Sequence, residues 1–168
     1  MHVTTTYLQM LARPAREVAV PRNGLVVLFA ERPTIDYYRF LYDIVGRHWQ
    51  WIDRKKLSDA ELSAIIHDPL VEVNVLFVDG VPAGYVELDR RVPGQIELAY
   101  FGLAPEFIGQ GLGKYLLGWA VEKAWSFGPE RVWVHTCTLD HPAALGHYEK
   151  AGFVIYKESY RCDPHPDD

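Results

Sequence analysis

Gln95-Ile96-Glu97-Leu98-Ala99-Tyr100-Phe101-Gly102-Leu103-Ala104-Pro105-Glu106-Phe107-Ile108-Gly109-Gln110-Gly111-Leu112-Gly113-Lys114 is an apolar, aromatic run that stops at a proline and gives way to three alternating glycines. The run from Gln95 to Leu103 reads as a strand. After the glycines, Leu112, Leu116, Trp119, Ala120 and Phe127 fall on one helical stripe. A turn of this kind leaves backbone N–H groups bare of side chains, and the helix start adds partial positive charge, so it suits a phosphate. The spacing excludes two nucleotide templates. A dinucleotide turn needs glycine three residues after Gly111, where Lys114 stands, and a P-loop needs Ser or Thr after Gly113-Lys114, where Tyr115 stands.

Working outward from this turn, the period of two continues upstream. Val71 to Phe77 alternates, Asp79-Gly80 is a hairpin turn, Val81 to Leu88 returns, and Pro93-Gly94 leads into the quoted strand. Before these strands lie two helices. The first follows Pro33-Thr34, with Tyr37, Phe40, Leu41, Ile44 and Val45 at helical spacing; the second follows Ser58, which forms a capping-box pattern with Glu61. Leu25 to Phe29 reads as a buried strand ahead of both. Downstream come a strand at Arg131–Cys137, a helix at Pro142–Lys150 and a strand at Gly152–Tyr160. The order is β-α-α-β-β-β-α-β-α-β, a mixed α/β sheet carrying helices.

The 168 residues, 49% hydrophobic and 23% charged, suit one domain over 1–168 with a core of about 25–160 and a frayed tail at 161–168. No apolar run approaches the roughly 20 residues of a membrane span, and the N-terminus has no basic-then-apolar leader pattern, so a cytoplasmic, membrane-free protein is expected. A net charge of −5 argues against nucleic acid as partner. The basic clusters Arg54-Lys55-Lys56 and Arg90-Arg91 adjoin Asp53 and Asp89 and read as solvated surface. Cys137 and Cys162 form no CxxC, and His141 and His147 stand six apart, so no metal is expected.

The stretch Leu103 to Gly113 resembles the pyrophosphate arm of the GNAT superfamily of N-acetyltransferases, whose pattern is Arg/Gln-x-x-Gly-x-Gly/Ala after a strand ending Val-x-Pro. The segment His141-Pro142-Ala143-Ala144-Leu145-Gly146-His147-Tyr148-Glu149-Lys150-Ala151-Gly152-Phe153 is similar to the family's second landmark, an Asn-led helix ending Tyr-x-Lys-x-Gly-Phe. Two residues depart from the patterns. Ile108 takes the place of Arg/Gln, which leaves the pyrophosphate to backbone amides from Gly109 to Gly113, and His141 stands where Asn is frequent.

The resemblance implies the GNAT acyl-CoA N-acyltransferase fold and direct transfer of an acyl group, most often acetyl, from acetyl-CoA to an amine. It implies coenzyme contacts at Phe101, Gly102, Leu103, Ile108, Gly109, Gln110, Gly111, Leu112, Gly113, Lys114, His141 and Tyr148. It also implies Glu97 as the base and Tyr148 as the acid that meets the leaving sulfur. Even spacing sets Glu97 on the strand face of Ala99, Phe101 and Leu103, where partial desolvation would make a carboxylate more basic. A surface glutamate paired with Arg90 or Arg91, and a water relay, are the other readings. Tyr148 also reads as a core aromatic packed with Leu145. Cys137 reads as a buried structural thiol.

In this family the acceptor is shaped by the first two helices and their connection. Here that segment offers Trp49 and Trp51 as an aromatic wall, with Glu87 set beside Glu97 if the Pro93-Gly94 turn fixes that register. Core packing of both tryptophans is the alternative. The expected acceptor is a primary amine of a small molecule or peptide, and a homodimer is compatible with the resemblance. Two further readings stand beside acetyl transfer: transfer of a larger acyl group, and a non-catalytic acyl-CoA sensor.

Overall fold

Residues 2–162 are described by a computed structural model. One seven-stranded sheet runs through the molecule in the order β2-β3-β4-β5-β6-β1-β7. Its strands are β1 (His2–Met10), β2 (Leu25–Ala30), β3 (Val71–Val78), β4 (Val81–Asp89), β5 (Gln95–Leu103), β6 (Arg131–Cys137) and β7 (Val154–Cys162). The helices are α1 (Ile35–Gly46), α2 (Asp59–Ile66), α3 (Leu112–Ser126) and α4 (Ala144–Ala151). No helix among the described residues is long and apolar enough to cross a membrane.

Local chemistry explains most of these boundaries. Thr34 caps α1 by accepting from the Tyr37 amide at 3.2 Å, and Ser58 with Glu61 closes the expected capping box on α2, a device worth about 1 kcal/mol. The buried stripe of α1 is Tyr38, Leu41, Tyr42 and Val45, whereas Phe40 is exposed, so the apolar face is turned from the one expected. Helices α1 and α2 cover β3 to β5 on one face; α3 and α4 pack on the other around Leu112, Leu116, Ala120 and Tyr148. Covered on both faces, β3 buries Glu72 and Asn74 as well as its valines.

The structure also departs from expectation at β1, in the tail and within β5. The N-terminal strand β1 was not anticipated: it pairs with β6 and β7 inside the sheet, and residues 11–24 carry the chain across α3 to reach β2. That crossing fits α3 because a Cβ at Gly118 would overlap the Val18 side chain. Arg161 and Cys162 belong to β7, and the rest of the tail expected to fray lies outside the described residues. The third correction is a β-bulge. Glu87 pairs with Tyr100 but Leu88 with Leu98, which leaves Ala99 as the extra residue of β5. The bulge turns Glu97 onto the face of Tyr100 and Gly102 instead of the face of Phe101 and Leu103.

Among the described strands, β5 and β6 are the one parallel pair. They are in register only from Gln95↔Arg131 to Glu97↔Trp133, and beyond Glu97 the pairing ends. A cleft occupies the space that opens between them.

Candidate active site

The cleft has a volume of about 780 Å³ and is walled by the unpaired ends of β5 and β6, the turn into α3, the start of α4 and the connection between α1 and α2. At one end stands the glycine turn. Gly109 and Gly111 have φ of +84° and +78°, a region open to glycine at little cost, and a Cβ at Gly109 would meet nothing within 4 Å. No side chain caps α3, so the amides of Leu112, Gly113 and Lys114 have no partner within the helix. The turn is open and presents free donors, which fits a pyrophosphate. Of the residues implied for the coenzyme, Phe101, Gly102, Leu103, Ile108, Gly109, Gly111, Gly113, Lys114, His141 and Tyr148 line the cleft. Two do not. The Leu112 side chain is buried in the core, leaving only its amide available, and Gln110 turns away to donate to the Glu106 carbonyl.

Tyr148 joins both of its readings. Its ring packs against Phe101 and Phe153 in the core, and the residue also lines the cleft. Burial pushes its phenol well above the ordinary range, with Asp140 adding to the rise, so near neutral pH it is an O–H donor. Cys137 lines the same wall half-buried, which corrects its reading as a buried thiol. Desolvation, followed by the nearby Asp140, raises its pKa, so the protonated, weakly nucleophilic form is favoured.

Glu97 marks the apex where β5 and β6 part. It pairs with neither Arg90 nor Arg91. Its Oε1 lies 3.5 Å from Nδ1 of His135, whereas Arg90 approaches Glu72 and Arg91 holds Asp89. The residue opposite Glu97 in the hairpin is Asp89, not Glu87. Burial pushes the Asp89 carboxyl up, but hydrogen bonds from Arg91 outweigh it and hold the group below its ordinary value.

Glu87 is the substrate-side expectation that fails. It is fully buried beneath the cleft, accepts from the Tyr38 hydroxyl at 2.6 Å and is paired with Arg54 at 2.8 Å. Burial raises its pKa while the Arg54 guanidinium opposes that rise. Arg54, expected on a solvated patch, instead lines the cleft over the Tyr100 ring while holding Glu87.

Trp49 and Trp51 both reach the wall. Trp51 also packs on Tyr42 and Tyr100, and its indole N–H donates to Asp140 Oδ1 at 3.3 Å; Trp49 meets His141 edge-on with ring centroids 4.8 Å apart. These contacts bind the α1–α2 connection to the turn before α4. Asp140 Oδ2 further accepts from the Thr136 hydroxyl and the Cys137 amide. Sequence reasoning missed Asp140, Arg54 and His135. His135 alone left a local signal, because it alternates with the buried Val132, Val134 and Thr136 and so faces the other side of β6.

Solved structures of similar fold include a GCN5-related N-acetyltransferase from Sphaerobacter thermophilus, at 16% identity and TM-score 0.63, over 94% of this chain and 50% of that one. An aminoglycoside acetyltransferase from an uncultured soil metagenomic sample matches at 15% and 0.63, over 77% and 88% of the two chains. An IAA acetyltransferase from Bacillus cereus matches at 22% and 0.57, over 79% of each. Against four of the solved chains, this one spans 50% to 63% of their length. No curated protein matches. The model of the acetyltransferase (GNAT) family matches residues 24–153, from the strand before α1 to the end of the second landmark, and the chain belongs to that family.

Proposed function

We propose that this protein transfers an acetyl group from acetyl-CoA to a primary amine of a small molecule or peptide by direct attack. The observation that carries the reading is one continuous cleft with the uncapped glycine turn at one end, Tyr148 on its wall and Glu97 at its apex. Bound coenzyme supplies the activated acyl group as a thioester. The amides of the turn from Gly109 to Lys114 hold its phosphates, in place of the side chain that Ile108 does not provide.

The two proton transfers differ in cost. An amine of pKa ~10.4 is neutral at pH 7 in about one molecule in 2,500, a cost of ~4.6 kcal/mol; releasing a thiol of pKa ~8.5 as thiolate costs ~2 kcal/mol. Glu97 meets the larger demand by accepting a proton from the ammonium, after which the amine nitrogen bonds to the thioester carbon. As the carbon–sulfur bond breaks, the Tyr148 hydroxyl protonates the departing sulfur, and the second proton that the nitrogen gives up in becoming an amide restores the phenol. Trp49 and Trp51 wall the acceptor side, where their aromatic faces suit a cationic group.

The experiment is thiol release from acetyl-CoA over a panel of amines, corrected for hydrolysis, with longer acyl-CoA donors in parallel. Amine-dependent release with acetyl-CoA supports the reading. Faster release from a longer donor would replace acetyl by that group, and coenzyme binding with no release from any donor would leave a sensor.

A further inference from the structure

Removing a proton from every acceptor molecule requires Glu97 to be reset in each turnover. Its side chain is 21% exposed, and that exposure is to the cleft the acceptor would fill, so bound substrate shields it from water. His135 offers another way out. The Glu97↔Trp133 pairing sets His135 two residues further along the same face of β6, and its Nδ1 lies 3.5 Å from Glu97 Oε1.

The imidazole is held in place; it borders the same cleft and is the more exposed of the two side chains. Trp133 stacks near it at 6.0 Å between centroids and Tyr7 of β1 lies at 5.6 Å, while 44% of its side chain remains exposed. Helices α1 and α2 pack over β3 to β5, and His135 lies beyond them. The charged groups around it are Glu97, Lys157 over the Tyr7 ring, Arg131 over the Trp133 ring, and Arg161 on the cleft wall. Of these, Glu97 is the carboxylate within 4 Å.

We propose that His135 is the relay through which the acceptor's proton leaves Glu97 for solvent. The inference rests on the amine-transfer reading. The ammonium loses one proton to a Glu97 carboxylate oxygen, that proton passes to Nδ1 of the neutral imidazole, and the imidazolium gives one from Nε2 to water. Exchange with solvent then restores the starting tautomer. Glu97 ends as a carboxylate and His135 as a neutral ring, and only N–H and O–H bonds have changed.

The test uses His135→Gln, which keeps much of the side chain's size but cannot carry a proton, and His135→Ala, which leaves a space for added imidazole. Both should lower kcat by about tenfold or more with KM for acetyl-CoA unchanged. A series of imidazoles should rescue His135→Ala in proportion to their basicity, a dependence that packing alone would not produce. Wild-type turnover by His135→Gln, with Glu97→Gln impaired, would overturn the relay and leave amine transfer standing. So would rescue that follows the size of the added ring and not its basicity. Absence of amine-dependent turnover in the wild type would overturn both.

Discussion

In the proposed transfer Glu97 and Tyr148 divide the chemistry because their surroundings differ. Tyr148 is buried among Phe101 and Phe153 and keeps its proton; Glu97 sits where two strands part and lines the cleft. Replacing Tyr148 by Phe should lower turnover while coenzyme affinity, measured by calorimetry, stays nearly unchanged, because the hydroxyl acts as charge develops on sulfur. Wild-type turnover in that variant would return Tyr148 to a packing role. Replacing Glu97 by Gln should slow the reaction most near pH 7. The deficit should shrink as pH approaches the acceptor's own pKa, where solvent supplies neutral amine; a pH–rate profile with a parallel offset throughout would remove Glu97 as base. Tyr148 was legible in the sequence through its landmark. The face of Glu97 was not, because a bulge at Ala99 is invisible to a count of alternate residues and reverses its outcome.

At the scale of elements, reading succeeded where the signal was local. Ser58 and Glu61 sit one turn apart, the bounds of β5 follow from the turn residues Pro93-Gly94 and Pro105 that flank it, and those of β6 follow from its own alternation. It failed where partners were remote. Strand β1 pairs with residues more than 120 positions away, and its run Thr4-Thr5-Thr6 offers no apolar alternation to announce it. Glu87 and Arg54 are likewise joined by the fold, which brings α1, the α1–α2 connection and β4 together. Replacing Glu87 by Gln leaves a largely buried guanidinium without its counter-ion. Urea unfolding should show a loss of about 3–5 kcal/mol, and replacing Glu87 by Leu together with Arg54 by Met should recover most of it. Gly111 occupies the N-cap of α3, so Gly111→Asp would bring a carboxylate to the uncapped amides that the proposed reaction assigns to the coenzyme. Calorimetry with chelator present should show coenzyme A affinity reduced about tenfold or more, with Gly111→Asn as the uncharged control. Equal affinity in the Asp variant would place the phosphates elsewhere.

At the scale of the molecule, the sheet opens once, between β5 and β6, and that opening brings the glycine turn, Tyr148, Glu97 and the tryptophans to one cleft. In the proposed reaction amine and acetyl-CoA occupy it together and react directly. Cys137 on the same wall gives the competing route a definite form, an acyl-cysteine made before the amine arrives. The deciding measurement is initial velocity with both substrates varied. Direct transfer predicts double-reciprocal lines that intersect. Parallel lines, with an acetyl group found on Cys137 when the amine is withheld, would contradict it.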